Sequence, residues 1–262
     1  MTVWRVLRVD RVSKDFQKAE GGIVEVLRGV SFEIERGNLF TLLGPSGCGK
    51  STVLNIVAGF EESTSGQVLY DDTPITTPGP DRAVIFQDVS NALFPWLNVR
   101  ENVEFGPKVA GLDRTERTQQ SKHYLSLVGL SEDHDKFPFE LSGGMKQRVQ
   151  IARALANDPN VLLADEPFAA LDAITKKNIQ VEFRRIWQET EKTILYITHD
   201  IMEALLLGTH LAVMTAGPKA SIKEVFKLDL KEPRSHLNPD FAQLYSRVEM
   251  LIDEEVRRIR EQ

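Results

Sequence analysis

Short apolar runs alternate with longer amphipathic stretches along most of the chain. The apolar runs predict buried β-strands, because each is short and has no polar face. They cover residues 38–43, 83–86, 161–164, 193–197 and 211–214. Helical patterns follow several of these runs and cover residues 50–58, 173–191 and 200–207. Strands that alternate with helices are typical of a parallel sheet, so the pattern predicts an α/β fold.

The pattern changes at both ends and in the middle of the chain. Strand-like runs at 3–9 and 26–34 flank a polar loop, 14–22. Residues 90–157 show few strand signals, and their helical patterns lie at 116–128 and 145–156. A short strand is predicted near 222–229, and apolar residues at helical spacing predict a helix near 239–260. We therefore predict a core at 1–89 and 158–230, an inserted helical subdomain at 90–157 and a C-terminal helical tail at 231–262.

Composition narrows the class of protein. The 262 residues include 32 Lys and Arg against 38 Asp and Glu, a formal net charge of −6. This acidic balance argues against nucleic-acid binding, which needs a basic face, and we predict no such partner. No apolar run approaches the roughly 20 residues that span a bilayer, and the first 15 residues lack the apolar stretch of a signal peptide. The chain is therefore predicted to be cytoplasmic.

One glycine-rich segment lies between a predicted strand and a predicted helix. It matches the phosphate-loop pattern G-x-x-x-x-G-K-[ST] and reads Gly44-Pro45-Ser46-Gly47-Cys48-Gly49-Lys50-Ser51. Glycines let backbone N–H groups converge on phosphate oxygens, and the helix start adds its dipole. Lys50 would bring a positive charge to the outer phosphates, and Ser51 an oxygen for Mg²⁺. Cys48 is interpreted as a small spacer whose backbone matters.

Two carboxylates follow the apolar run at 161–164. Ligands of an open parallel sheet bind beyond the carboxyl ends of its strands, which is where Asp165 and Glu166 are expected. Asp165 is therefore predicted to reach Mg²⁺, and Glu166 to orient or deprotonate an attacking water.

A second anion-binding helix start is predicted at Leu141-Ser142-Gly143-Gly144-Met145-Lys146-Gln147-Arg148. Ser142 can cap the helix while the glycine N–H groups stay open. A chain with one phosphate loop has no evident need for a second phosphate cradle. We therefore predict that this segment binds the γ-phosphate of ATP held by a second copy, in a head-to-tail pair with two ATP molecules between the subunits.

These motifs, in this order, resemble those of the ATP-binding-cassette (ABC) ATPases. The resemblance implies a P-loop NTPase core with a mostly parallel sheet, an antiparallel β subdomain and an inserted helical subdomain. It implies that Gln87 contacts Mg²⁺ or the attacking water, that His199 contacts the γ-phosphate and that Phe16 stacks on adenine. Ala170-Leu171-Asp172 resembles the segment that crosses the dimer interface.

The predicted site therefore has three parts. The catalytic residues are Glu166, His199, Gln87 and Lys50. The residues that bind ATP are Phe16, Gly44, Pro45, Ser46, Gly47, Cys48, Gly49, Lys50, Ser51, Thr52, Ser142, Gly143, Gly144 and Gln147. The Mg²⁺ ligands are Ser51, Gln87 and Asp165.

The segment after Gln87 indicates the type of cassette. Its apolar cluster, Leu93, Phe94, Trp96 and Leu97, predicts a surface that docks a membrane subunit, with burial inside the helical subdomain as the alternative. Two segments resemble importers of the nitrate, sulfonate and taurine type, namely the motif Pro-Trp-Leu-x-Val-x-Glu-Asn and residues 165–173. Ala169 stands where these importers usually have Gly.

The resemblance thus predicts the ATP-hydrolysing subunit of an importer, bound to the cytoplasmic side of the membrane. Its partners would be a second copy, integral permease subunits and, indirectly, a solute-binding protein. One alternative is the ATPase subunit of an exporter or of another membrane complex. The other is a soluble ABC-type ATPase. The importer interpretation rests on the similarity of these motifs to those of known importers, and the sequence does not identify the transported substrate.

Overall fold

The computed structural model describes residues 5–18 and 21–260. The outer limits of the predicted domains, residues 1 and 262, lie outside this part of the chain, as do the first two residues of the strand predicted at 3–9. The chain divides into two compact units, Met1–Gly79 with Thr193–Gln262, and Pro80–Lys192. The predicted boundaries at 89, 157 and 230 remain predictions.

The first unit is built from two segments of the chain. The N-terminal segment contains β1 (Arg5–Gln17), β2 (Ile23–Glu35), β3 (Leu39–Leu43), α1 (Lys50–Ala58), β4 (Ser65–Tyr70) and β5 (Thr73–Pro74). The second unit contains β6 (Arg82–Ile85), α2 (Val89–Ala92), α3 (Val99–Val109), α4 (Arg114–Leu127), α5 (Gly143–Ala156), β7 (Val161–Asp165) and α6 (Ala173–Thr190). The first unit then resumes with β8 (Thr193–Thr198), α7 (Ile201–Leu207), β9 (His210–Met214), β10 (Ile222–Lys227) and α8 (Pro239–Arg260).

The strands that the apolar runs predicted pair in parallel with one another. In the first unit β3 lies between β8 and β9 and is parallel to both, and β10 is antiparallel to β9. Every residue of β3 and β8 is buried, as expected for strands covered on both faces. In the second unit β6 and β7 are parallel. The predicted α/β class with a mostly parallel sheet is confirmed.

A four-stranded antiparallel sheet, in the order β2-β1-β4-β5, completes the first unit. The prediction of a loop from residue 14 was wrong, because β1 continues to Gln17 and pairs Phe16 with Val24. The ladder shifts register between Val9 and Val12, around Arg11, which has a positive φ of 48°. Such an irregularity changes which side chains face inward, so a simple alternation of polar and apolar residues does not reveal the full strand.

The predicted C-terminal tail is one helix, α8, packed within the first unit. Phe241 and Val248 are buried in a cluster with Leu43, Leu205 and Val213. Since Leu43 is the last residue of β3, this packing supports the strand that leads into the phosphate loop. Among the described residues, no helix is long and apolar enough to cross a membrane.

Candidate functional site

The phosphate loop connects β3 to α1 in the first unit. Its backbone requires glycine at two positions, since Gly47 and Gly49 have positive φ values of 77° and 96°. A Cβ on Gly49 would also lie 2.8 Å from a methyl carbon of Leu27 and 2.9 Å from one of Val26. Of the two glycines that define the pattern, Gly49 is therefore required by its conformation, and Gly44 by close contact, since a Cβ there would lie 3.0 Å from that of Met214.

Lys50 is the first residue of α1 and is only 5% exposed. Its Nζ donates hydrogen bonds to the carbonyl oxygens of Gly44, at 2.9 Å, and Pro45, at 3.0 Å. No side chain caps the start of α1, and its first turn contains no acidic residue. The loop thus combines an uncapped helix start with a lysine ammonium, an arrangement that favours a multiply charged anion.

The other residues of the loop differ in exposure. Ser46, Gly47 and Ser51 are exposed, and Pro45, Gly49 and Thr52 are half-buried. Cys48 is buried, and a Cβ on Gly44 would lie 2.9 Å from its Sγ. Packing of Cys48 inside the loop agrees with the predicted spacer role.

His199 follows β8 in the same unit, and its side chain is exposed. The turn that carries it is fixed on both sides, because Thr198 Oγ1 accepts a hydrogen bond from Asp200 N at 3.0 Å and Asp200 Oδ1 accepts one from Glu203 N at 3.1 Å. The Thr198 hydroxyl in turn donates to the buried Glu203 carboxylate. Sequence reasoning missed this support, although Asp200 and Glu203 have the spacing of a capping motif.

Phe16 lies near the end of β1 with 38% of its surface exposed. The ammonium of Lys14 lies 4.9 Å from the centroid of its ring and is also paired with Glu61, 2.5 Å away. The ring is therefore held in place and remains partly open, as a stacking surface must be.

The second unit carries the two carboxylates, both half-buried, at the end of β7. Glu166 has a positive φ of 42°, which is unusual for a residue with a side chain. Conformations of this kind cost about 1 kcal/mol or more and concentrate at functional sites. Phe168, fully buried, packs edge-on against Phe183 at 5.6 Å and anchors the turn that follows. The sequence located these carboxylates, but the strained backbone of Glu166 could not be predicted.

Asp172, in the segment that resembles the interface-crossing loop, caps α6. Its carboxylate accepts hydrogen bonds from the N–H groups of Ile174, at 3.2 Å, and Thr175, at 3.1 Å. Hydrogen bonds from the Thr175 side chain and backbone hold the pKa of Asp172 below its usual value.

Ser142 caps α5 in this unit, and its Oγ accepts a hydrogen bond from Met145 N at 3.3 Å. Ser142 and Gly143 are exposed. A Cβ on Gly144 would lie 2.8 Å from Thr175 Cγ2, so glycine allows α5 to approach α6 at this point. The predicted second helix start is therefore present, with Gly143 open to solvent.

The structure places Gln87 and Gln147 in opposite environments. Gln87 is exposed just after β6. Gln147 is fully buried, and its amide has no hydrogen-bond partner among the described residues. The predicted contact of Gln147 with ATP disagrees with this burial, because the motif extends along a helix and its later residues turn inward.

The segment after Gln87 is divided between core and surface. Leu93 is buried, whereas Trp96 is 70% exposed. Buried Asn102 holds the segment, since its Nδ2 donates to the carbonyl oxygens of Phe94, Leu97 and Asn98 at 3.1, 2.9 and 3.0 Å. Trp96, Leu97 and Phe105 line a cavity of about 470 Å³ together with charged residues of α3 and α4. Burial within the helical region is thus confirmed for Leu93, whereas docking through the exposed residues of the cluster stays a prediction.

Comparison with known proteins agrees with these motifs. The family model described as "ABC transporter" matches residues 27–169. The nitrate import ATP-binding protein NrtD of Synechococcus elongatus is 47% identical, over 91% of this chain and 88% of its own length. The taurine import ATP-binding protein TauB of Roseobacter denitrificans is 45% identical, over 90% of each chain.

Among solved structures, the chain is similar to the ATP-binding cassette MJ0796, a dimer in a post-hydrolysis state bound to ADP and Pi. The TM-score is 0.73 and the identity 31%, over 86% of this chain and 100% of that one. The predicted family and P-loop NTPase fold are confirmed by these similarities. The chain belongs to the ABC transporter family, as an ATP-binding subunit that hydrolyses ATP.

Proposed function

We propose that this chain drives an importer for a small oxyanion or sulfonate, such as nitrate or taurine, through separate membrane subunits. The observation that carries the ATPase part is the phosphate loop, where an uncapped helix start and the buried Lys50 ammonium converge. The import part is supported by the relatives at 45% and 47% identity that are named for nitrate and taurine import.

ATP would bind with its phosphates in the phosphate loop. The ammonium of Lys50 now donates to two carbonyl oxygens of the loop, and phosphate oxygens would replace one or both as acceptors. The N–H groups at the start of α1 and the hydroxyls of Ser51 and Thr52 would complete the cradle. Phe16 would stack on adenine.

Hydrolysis would depend on three polar groups. The Glu166 carboxylate would orient and polarise the attacking water, and its strained backbone fixes where that carboxylate is presented. The His199 side chain, exposed on a turn held by Thr198 and Asp200, would donate to the γ-phosphate. The exposed Gln87 amide would contact the water.

The donor set suits Mg²⁺, which usually binds one or two carboxylates together with substrate phosphates and water. The described residues contain no group of three or more His, Cys, Asp or Glu side chains that could hold a metal without a nucleotide. Ser51, Asp165 and Gln87 would bind the ion, and it would neutralise the charge that develops on the phosphates.

The exposed start of α5 would act on a second copy. Ser142, Gly143 and Gly144 would bind the γ-phosphate of ATP held in the partner's phosphate loop, which makes a head-to-tail dimer. ATP can close this pair only if it binds the closed state more tightly than the open one. Hydrolysis would remove that preference and reopen the dimer.

The cavity lined by Trp96, Leu97 and Phe105 would dock a permease subunit and thereby hold the chain at the cytoplasmic face of the membrane. Trp96 provides a largely exposed indole, and Asn102 holds the backbone behind it. A solute-binding protein would reach this chain only through the permease. Closure of the dimer would move the docked subunits.

The proposal is tested with the membrane subunits that copurify with this chain. The complex is reconstituted in vesicles, and ATP-driven uptake of nitrate and taurine is measured. The account predicts uptake of at least one of them, abolished by Glu166→Gln. Extrusion of substrate, or hydrolysis unchanged in Glu166→Gln, would contradict it.

The docking surface has its own test. Trp96→Ala should lower copurification of the membrane subunits about tenfold, the typical effect of removing one buried aromatic anchor. Val109→Ala is the matched control, since Val109 is also largely exposed, at the end of α3, and is not among the residues that line the cavity. Unchanged assembly of the Trp96→Ala subunit would exclude this surface.

A further inference from the structure

Two phenylalanines form an exposed aromatic pair just before the Ser142 motif. The rings of Phe137 and Phe139 are stacked, with centroids 5.8 Å apart and an angle of 12° between their planes. Phe139 is 78% exposed and Phe137 36%. A ring as open as that of Phe139 buries little apolar surface, so packing within the fold does not account for it.

The backbone beneath these rings is fixed. Residues Pro138–Glu140 form one turn of 3₁₀-helix. Phe137 N donates to the Glu140 carboxylate at 2.7 Å, and Glu140 N donates to the Phe137 carbonyl at 2.9 Å. Val99 N at the start of α3 donates to the Lys136 carbonyl at 2.9 Å. This hydrogen bond connects the turn to α3. The pair is therefore a supported platform, and a platform loses little entropy when a ligand stacks on it.

The platform adjoins the proposed phosphate contact. Phe139 precedes Ser142 by three residues, so their Cα atoms lie no more than about 11 Å apart. In a nucleoside triphosphate, the γ-phosphate and the base are separated by two phosphates and the ribose. A nucleotide whose γ-phosphate reaches Ser142 and Gly143 can therefore present its base to the nearby aromatic platform.

We propose that Phe139, backed by Phe137, stacks on the adenine of ATP bound to a second copy of this chain. This inference rests on the proposed dimer, in which Phe16 of one subunit and Phe139 of the other would contact the same base. Phe16 has one ring face beside the Lys14 ammonium, so it offers the base a single open face. The partner's Phe139 would cover the opposite side of the base.

This contact would require a nucleobase but would not distinguish one base from another. Every nucleobase has a π-face, so stacking alone does not distinguish adenine from guanine. The contact forms only when the dimer closes. It would therefore stabilise the closed pair without changing how tightly one isolated subunit holds ATP.

The test uses the full chain with Glu166→Gln, which slows hydrolysis so that the ATP-bound dimer accumulates. Dimer content is followed by sedimentation as ATP is added. Phe139→Ala should raise the ATP concentration for half-maximal dimer about tenfold, the effect expected when one base loses its aromatic partner. Phe139→Trp should restore the original midpoint, and Phe139→Leu should not, because it is apolar but lacks a ring. Val109→Ala is the control for loss of an exposed apolar side chain.

A second readout reports stacking directly. The fluorescence of 2-aminopurine riboside triphosphate is quenched when its base stacks. Dimer formation should deepen this quenching in the parent protein and in Phe139→Trp, and should do so less in Phe139→Ala. Binding of this nucleotide to the monomer should be the same in all variants.

The outcomes separate the two proposals. A parent protein that forms no ATP-dependent dimer would contradict both the dimer and the aromatic contact. A parent that dimerises, with the same ATP midpoint and the same quenching in Phe139→Ala, would overturn the aromatic contact alone. The same result would follow if the platform docked a membrane subunit instead.

Discussion

Two glycine-rich helix starts, those of α1 and α5, differ in capping and in charge. The start of α1 has no side-chain cap and carries the Lys50 ammonium. The start of α5 is capped by Ser142 and has no acidic residue in its first turn. Both favour an anion through their N–H groups, but only the first adds a formal positive charge aimed into its own loop.

Glycine serves a different need at each start. Gly49 adopts a φ of 96° and has no room for a Cβ beside Leu27. Gly144 is helical, and a Cβ there would meet only the methyl group of Thr175 at 2.8 Å and Ile179 at 3.4 Å. In the proposed dimer, the first start would bind the phosphates of its own nucleotide, and the second would contact a nucleotide held by the other copy.

The largest effect is expected when the charge that distinguishes the first start is removed. Lys50→Ala should lower ATP hydrolysis about 10³-fold, because a preorganised cation has a large effect on the charge that develops in the transition state. ATP binding to the monomer should weaken as well, as calorimetry would show. Lys122→Ala, which changes an exposed lysine on α4, is the matched control. A Lys50→Ala protein that keeps most of its activity would remove the distinction between the two starts.

The glycines at the two starts should differ in their effect on the stability of the fold. Gly49→Ala should cost about 2 kcal/mol of unfolding free energy, from a left-handed backbone and contact with Leu27 and Val26. Gly144→Ala should cost less, about 1 kcal/mol, because the higher helix propensity of alanine offsets part of the contact with Thr175. Chemical denaturation of the nucleotide-free chain measures both. Equal costs would show that the two glycines serve the same purpose.

The effect on hydrolysis is expected to be smaller at the second start than at the first. Ser142→Ala should lower hydrolysis about tenfold, since it removes one hydrogen bond to a charged group. ATP binding to the monomer should not change, because the Ser142 contact is made to a nucleotide on the other copy. A parallel loss of monomer binding would place Ser142 in the subunit's own site instead. Comparing binding by calorimetry with steady-state hydrolysis distinguishes these results.

The features that the sequence predicted well are those with local causes. The limits of α1 and α8 were predicted from apolar spacing, and both helices span the predicted residues, 50–58 and 239–260. The phosphate loop was identified because its conformation restricts which residues can stand at certain positions, as at Gly49, where φ is positive. Buried parallel strands such as β8 are continuous apolar runs, which few other elements share.

The features that were missed depend on partners distant in the chain or on helix-breaking residues. Helix α3 was not predicted, since it contains Gly106 and Pro107, yet Asn98 and Glu101 form a complete capping box at its start. The polar residues of β1 from Lys14 onward were interpreted as a loop, because the strand that pairs with them, β2, lies outside that segment. The burial of Gln147 follows from how α5 packs, and the motif itself gives no sign of it.

The central claim is that each active site combines the phosphate loop of one copy with the Ser142 start of another. Lys50→Ala disables the first part, and Ser142→Arg blocks the second with a bulky side chain. Each variant alone should be inactive. In a mixed dimer, however, the intact phosphate loop of the Ser142→Arg copy would face the intact Ser142 of the Lys50→Ala copy.

The most direct measurement is therefore the ATPase rate of an equal mixture of these two variants, after dilution and reassociation. If subunits pair at random and the sites act independently, the mixture should recover about a quarter of the parental rate, because half of the dimers hold one intact site. A mixture no more active than its two components would contradict the shared site.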